Sequence, residues 1–125
     1  FDSITGRFRQ RQICPLLEAN APANCLAADI HLTANGRFLF ASVRGVPDII
    51  RFTVTPEGLL EHRESLPCGA AAVRNFCLTR NGRYLLLADQ LAGEVRLFAL
   101  RAADGSLSDC LDCIQIPSPV CIIEA

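Results

Sequence analysis

A chain of 125 residues, half hydrophobic and a fifth charged with a net charge of −1, has the composition of one globular domain, and nothing in it selects for nucleic acid or an anionic membrane. All twelve basic residues are arginine, which excludes Schiff-base chemistry and a P-loop lysine and favours forked recognition of carboxylate or phosphate. No stretch approaches the ~18 consecutive apolar residues of a membrane helix, and the seven cysteines follow no framework spacing, so reduced thiols in a cytoplasmic protein are expected.

In chain order, the first punctuation is the turn Asp2-Ser3-Ile4-Thr5-Gly6-Arg7-Phe8, and residues 1–25 read as the last strand of one unit plus a connecting loop. Residues 26–70 hold four short apolar stretches, at 27–32, 38–43, 49–54 and 59–66. Residues 71–116 hold four more, at 73–78, 84–88, 94–100 and 107–114. Residues 117–125 end the chain with a further strand expected at 119–123. Asn35-Gly36 and Asn81-Gly82 join the first two stretches of each unit, and this dipeptide predicts a hairpin turn with both central residues at positive φ. Pro56-Glu57-Gly58 and Asp104-Gly105 punctuate the last two stretches in the same way.

The two units are copies of one another. Residues 32–39, Leu-Thr-Ala-Asn-Gly-Arg-Phe-Leu, recur at 78–85 as Leu-Thr-Arg-Asn-Gly-Arg-Tyr-Leu, with six of eight positions identical. Stretches of five to eight residues are too short for helices and suit buried strands, and four strands in about 45 residues mark a propeller blade. The expected fold is therefore all-β, a β-propeller of which this chain holds about two and a half four-stranded blades. Propellers close with about four to eight blades. The chain also starts within a blade, without an initiator methionine, so it is expected to be the C-terminal part of a longer chain, on the order of 330 residues, whose remaining blades are its partners.

The order of these motifs resembles the lactonase, seven-bladed β-propeller family, of the 6-phosphogluconolactonase and carboxy-muconate lactonizing enzyme type. The residues that carry the resemblance are Ala27-Ala28-Asp29-Ile30-His31-Leu32-Thr33 and the following Asn35-Gly36-Arg37-Phe38-Leu39-Phe40-Ala41-Ser42-Val43-Arg44. Val73-Arg74-Asn75-Phe76 resembles the family's Pro-Arg-Asp/Asn-Phe entry to a blade, with Val73 in place of the proline. Asp2 to Arg7 resembles its Asp-x-x-Thr-Gly-Arg turn, and Pro117-Ser118-Pro119-Val120 its closing strand. The resemblance implies a seven-bladed parent that hydrolyses a small anionic sugar lactone, phosphorylated or carboxylated, without a cofactor or metal. It also implies a glutamate general base in the preceding blade, outside this chain, so the chain alone is expected to be inactive.

In such a fold the start of a blade's first strand and the end of its second share one rim of the central channel. Arg74 opens a first strand, while Arg44 and its repeat partner Gln90 end second strands. Asp29 and its partner Asn75 stand at one level of successive inner strands. These five are the candidate substrate-binding residues, because an anionic substrate needs forked arginine hydrogen bonds and a tetrahedral oxyanion needs positive charge. His31 is the candidate catalytic base, the other histidine, His62, lying in an outer strand. Arg37 and Arg83 repeat within the turns and are read as structural. Cys110-x-x-Cys113 is not read as a metal site, since strand alternation sends its thiols to opposite faces and no second pair follows. Two other functions fit the same residues: a non-catalytic binding or scaffold propeller, and a carboxy-muconate-type cyclase using the same arginines.

Overall fold

The computed structural model describes residues 2–125. They form two four-stranded antiparallel sheets, with no helix among the described residues. The first sheet comprises β1 (Leu26–Leu32), β2 (Phe38–Arg44), β3 (Asp48–Val54) and β4 (Leu60–Pro67). The second comprises β5 (Val73–Leu78), β6 (Tyr84–Asp89), β7 (Glu94–Leu100) and β8 (Leu107–Gln115). Spatial order equals sequence order in both, the up-and-down meander of a propeller blade.

The shared eight-residue motif is a loop built by side chains. The Thr33 hydroxyl donates to Asn35 Oδ1 at 2.8 Å and accepts from the Phe38 amide at 3.1 Å, while Asn35 Oδ1 also accepts from the Arg37 amide at 3.1 Å. Thr79, Asn81, Arg83 and Tyr84 repeat these bonds. The expected turn geometry is corrected in one respect. Only the glycines, Gly36 at φ 70° and Gly82 at φ 66°, take positive φ. The asparagines do not, because the connection is a wider loop closed by Thr33 on Phe38 and Thr79 on Tyr84, where the asparagine serves as an acceptor. Arg37 and Arg83 lie over the rings of Phe38 and Tyr84, 5.3 and 5.8 Å from their centroids.

Two expected strands do not form ladders. The Asp2 turn is present, with Gly6 N–H donating to Asp2 O at 2.8 Å as Gly105 N–H does to Arg101 O. Beyond it, residues 8–25 carry no strand, and neither do residues 119–123. Side chains rather than backbone ladders join these segments to the sheets. Gln12, for example, donates to Leu60 O at 2.9 Å and accepts from Leu60 N–H at 2.8 Å.

The sheets face each other across one apolar core. Phe38, Phe40, Ile49 and Leu66 of the first meet Phe76, Leu85, Leu87, Phe98 and Leu100 of the second, all buried. Each such side chain contributes roughly 1.5–3 kcal/mol on removal from water. The β7–β8 turn seats on this core: Arg51 of β3 donates to the carbonyl of Asp104, and Gly105, at φ 70°, lies against the Phe38 ring. Cys68 is buried in the connector between the sheets, where loss of solvent pushes its thiol up to about 11.

Bulges set the side-chain directions that matter here. β1 and β5 each carry one register shift, between Ala27 and Ile30 and between Val73 and Asn75, at equivalent levels of the repeat. In β1 the Ser42 hydroxyl caps the bulge, accepting from the Asp29 amide at 3.1 Å. β8 carries two further shifts, which correct the expectation for its cysteines. Cys110 pairs with Phe98 and Cys113 with Arg96, so the extra residue returns both thiols to one face.

Gly105→Ala is expected to destabilise the protein more than Gly36→Ala. Both glycines sit at φ 70°, but a Cβ on Gly105 would lie 2.8 Å from the Phe38 ring, whereas Gly36 has nothing within 4 Å. Backbone strain of ~1–2 kcal/mol is common to both variants, and the clash at Gly105 adds overpacking of ~1–3 kcal/mol, so thermal unfolding will place Gly105→Ala about 5 °C or more below Gly36→Ala. Equal midpoints would show that the turn does not bear on the inter-sheet core.

Candidate functional site

A cavity of about 290 Å³ opens where the inner strands of the two sheets meet. Its floor is made by the bulged segments of β1 and β5, and Arg44, at the end of β2, and Val120 complete it. Ala27 and Ala28 supply the space. Arg74, the repeat partner of Ala28, extends into it from the other blade.

Asp29 is the most heavily bonded group of the cavity. Its Oδ2 accepts from Asn75 Nδ2 at 2.5 Å, the Phe76 amide at 3.1 Å and His31 Nε2 at 3.0 Å, and its Oδ1 accepts from the Ile30 amide at 2.9 Å. Burial alone would raise this carboxyl, but the Phe76 amide, His31 and the Ile30 amide outweigh it and hold Asp29 below the ordinary 3.8. Asn75 is spent in the same network, its Oδ1 accepting from the Ile122 amide at 2.6 Å. Asp29 and Asn75 thus tie the two blades and the C-terminal residues together.

The arginines are differently placed. Arg44 Nε is buried and has no hydrogen-bond partner among the described residues, an arrangement folded proteins seldom leave unexplained. Arg74 makes a long contact, 3.4 Å, to Gln90 Oε1, and Gln90 Nε2 lies 3.4 Å from Ser118 Oγ. Among the described residues no carboxylate is within ion-pair distance of either guanidinium. The cavity therefore holds two uncompensated positive charges beside one carboxylate whose oxygens already accept four hydrogen bonds.

Of the sequence candidates, Asp29, Arg44, Arg74 and Asn75 line one cavity, and Gln90 reaches it through Arg74. His31 does not line it. Its ring stands edge-on to Phe76 at 4.8 Å and its Nε2 is engaged by Asp29. Sequence reading passed over Asp89, which is fully buried and accepts from the amides of Ala71 at 2.6 Å, Ala72 at 3.0 Å and Ala92 at 3.1 Å, fixing the chain that leads to Arg74. The available signal was an acid where the other repeat has Val43, the same kind of break that marks Arg44 against Gln90. No cluster of three or more metal-ligating side chains occurs among the described residues.

The family model described as lactonase, 7-bladed beta-propeller, matches residues 1–124. The 6-phosphogluconolactonase of Serratia proteamaculans (strain 568) is 27% identical over 103 residues, which is 82% of this chain and 31% of that protein. A crystal structure of a protein from Lactobacillus plantarum superposes with a TM-score of 0.89 at 30% identity, covering 97% of this chain and 36% of that one. The periplasmic gluconolactonase PpgL of Pseudomonas aeruginosa superposes with a TM-score of 0.84 at 32% identity, covering 91% of this chain and 32% of that one. The chain spans about a third of the length of these relatives.

A carboxyl lowered on folding stabilises the protein above its unfolded value, and that contribution is lost as pH falls through the folded value. Asp29→Asn is therefore expected to lower the unfolding midpoint at pH 7, and the gap to wild type is expected to close as pH drops from about 4 downward. A gap unchanged between pH 7 and pH 2.5 would remove the charge of Asp29 from the account.

Proposed function

Because the chain belongs to the lactonase family of seven-bladed β-propellers, we propose that it forms part of a sugar-lactone hydrolase acting on a phosphorylated or carboxylated lactone, 6-phosphogluconolactone being the first to test. The observation that carries the substrate's charge is the pair Arg44 and Arg74, two guanidiniums without a carboxylate partner on one cavity. In lactone hydrolysis, water attacks the ring carbonyl, the carbonyl oxygen becomes an oxyanion, and the ring C–O bond then breaks to give the hydroxy acid. Negative charge grows at the carbonyl oxygen and remains on the carboxylate product. One arginine holds the substrate's fixed anion and the other stands where the oxyanion develops, the division of labour by which positive charge lowers such a barrier.

The general base is assigned to the remaining blades. Asp29 is held by four hydrogen bonds, three of them on Oδ2, and His31 is turned to it, so the role proposed for His31 is to orient that carboxylate. On this reading these two blades alone are inactive, since they hold the anion-binding half of the site. The seven free thiols suit a reducing compartment, and the cytoplasm is proposed.

The test is hydrolysis of 6-phosphogluconolactone by the full-length protein carrying Arg44→Ala or Arg74→Ala. Loss of a charged hydrogen-bond partner is worth ~1.5–3 kcal/mol, so each variant is expected to lose roughly 10- to 100-fold in kcat/KM. Wild-type turnover in both variants would remove the anion site. Conversion of a carboxylated diene to lactone, without hydrolysis, would reassign the same arginines to a cyclase.

A further inference from the structure

The connector between the two sheets, residues 68–72, is gripped by two charged side chains of the second blade. Arg96 Nη1 donates to the carbonyls of Cys68 and Gly69 at 3.0 and 2.7 Å. Gly69, at φ 62°, leaves room for it, since a Cβ there would lie 3.2 Å from that nitrogen. Asp89, fully buried, accepts from the amides of Ala71 at 2.6 Å and Ala72 at 3.0 Å. The cation thus holds carbonyls and the anion holds N–H groups, each charge strengthening its hydrogen bonds. Arg96 is fixed in turn by Glu94, whose Oε2 accepts from its Nε at 2.9 Å and lies 2.8 Å from its Nη2. By strand alternation Asp89 and Arg96 share the face of Leu87 and Phe98, which packs on the first blade, so the grip is internal to these two blades.

The first blade has no such charges. At the repeat positions of Asp89 and Arg96 it carries Val43 and Ile50, both buried, so strand pairing at this level needs no ion. The charges occur in the blade whose connector runs into Arg74 two residues later. Gln90, next to Asp89, is tied to the same place: its amide donates to Ala72 O at 3.2 Å, and its Oε1 meets Arg74 Nη1 at 3.4 Å. We propose that Asp89 and Arg96 are positioning residues for Arg74: they hold the connector by its two ends and so fix where Arg74 leaves the backbone at the edge of the cavity. The inference rests on the anion-site reading above and adds what keeps one of its arginines in place. An arginine stem carries much rotamer freedom. Fixing its backbone origin lowers what is lost when an anion binds, which raises affinity without a new contact.

The test is made in the full-length protein with Asp89→Val and Arg96→Ile combined, the pair that the first blade already carries. Exchanging compensated buried charges for apolar side chains is often neutral for stability, so the unfolding midpoint is expected to stay within about 5 °C of wild type. Amide exchange at residues 70–73, read without substrate, is expected to speed up roughly tenfold or more. In hydrolysis of 6-phosphogluconolactone, KM is expected to rise about five- to tenfold with kcat within about twofold. In an Arg74→Ala background the same two changes are expected to add nothing to KM, because residues that act through one another are not additive. An equal rise in KM with Arg74 present or absent would make the pair structural only and overturn the proposal, as would exchange left at the wild-type rate. Should the combined variant fold poorly, Asp89→Asn keeps the shape and removes one acceptor oxygen. Its rise in KM is expected to be smaller, about two- to threefold, and again absent once Arg74 is alanine. An Arg74→Ala variant with unaltered KM would instead sink the anion-site reading, and the exchange rates tell that failure from failure of the grip.

Discussion

Everything at the cavity depends on the burial of one sheet face by another. A four-stranded meander has two faces and cannot cover either by itself. Here the phenylalanines at 38, 40, 76 and 98 close one face of each sheet in a shared core. The outward faces are not closed among the described residues: Ile30 and Leu32 on β1, and Leu111 and Ile114 on β8, remain largely exposed. The same apolar contact that joins these two blades is thus required again at each end, which is the physical content of a propeller. Because the core fixes the blades face to face, the rim positions of neighbouring blades meet without any loop being built for the purpose.

Convergence at the rim also needs a departure from regular pleating. A strand sends successive side chains to opposite faces, toward the neighbouring blades rather than into the channel. The bulges in β1 and β5 break that alternation at the level where Asp29, Arg74 and Asn75 sit. Ser42 accepts from the Asp29 amide within the first bulge, and Asp89 accepts from the amides of Ala71 and Ala72, which lead into the second. The convergence at the rim is in this sense a backbone property, sustained by two buried polar residues.

This explains what was legible in the sequence. All eight strands fall within one or two residues of the expected stretches, because period, turn residues and apolar content all point the same way. The arginines were legible because they break a repeat: Arg44 stands where the copy has Gln90, and Arg74 where it has Ala28. The bulge in β8 was not legible, since Leu111 looks like any strand residue and the extra position shows only in the pairing with β7. Residues 119–123 have strand composition, yet composition cannot supply the partner edge. His31 shows the same limit. Its identity suggested a base, but its neighbours, Asp29 two residues away and Phe76 on the next blade, decide what its nitrogens do.

The repeat carries one further lesson at its innermost level. Exact copying would place an aspartate at position 75, facing Asp29 across the 2.5 Å now spanned by Asn75 Nδ2. Two carboxylates at that distance cannot both stay ionised near neutral pH, and one would have to hold a proton. An asparagine at 75 removes the conflict and converts repulsion into a hydrogen bond. Its remaining carbonyl oxygen then accepts the amide of Ile122. Asp29 keeps its charge, the two blades are pinned together at the rim, and no additional negative charge faces Arg44 and Arg74. The copies thus differ at the positions that line the cavity, Ala28 against Arg74, Asp29 against Asn75 and Arg44 against Gln90.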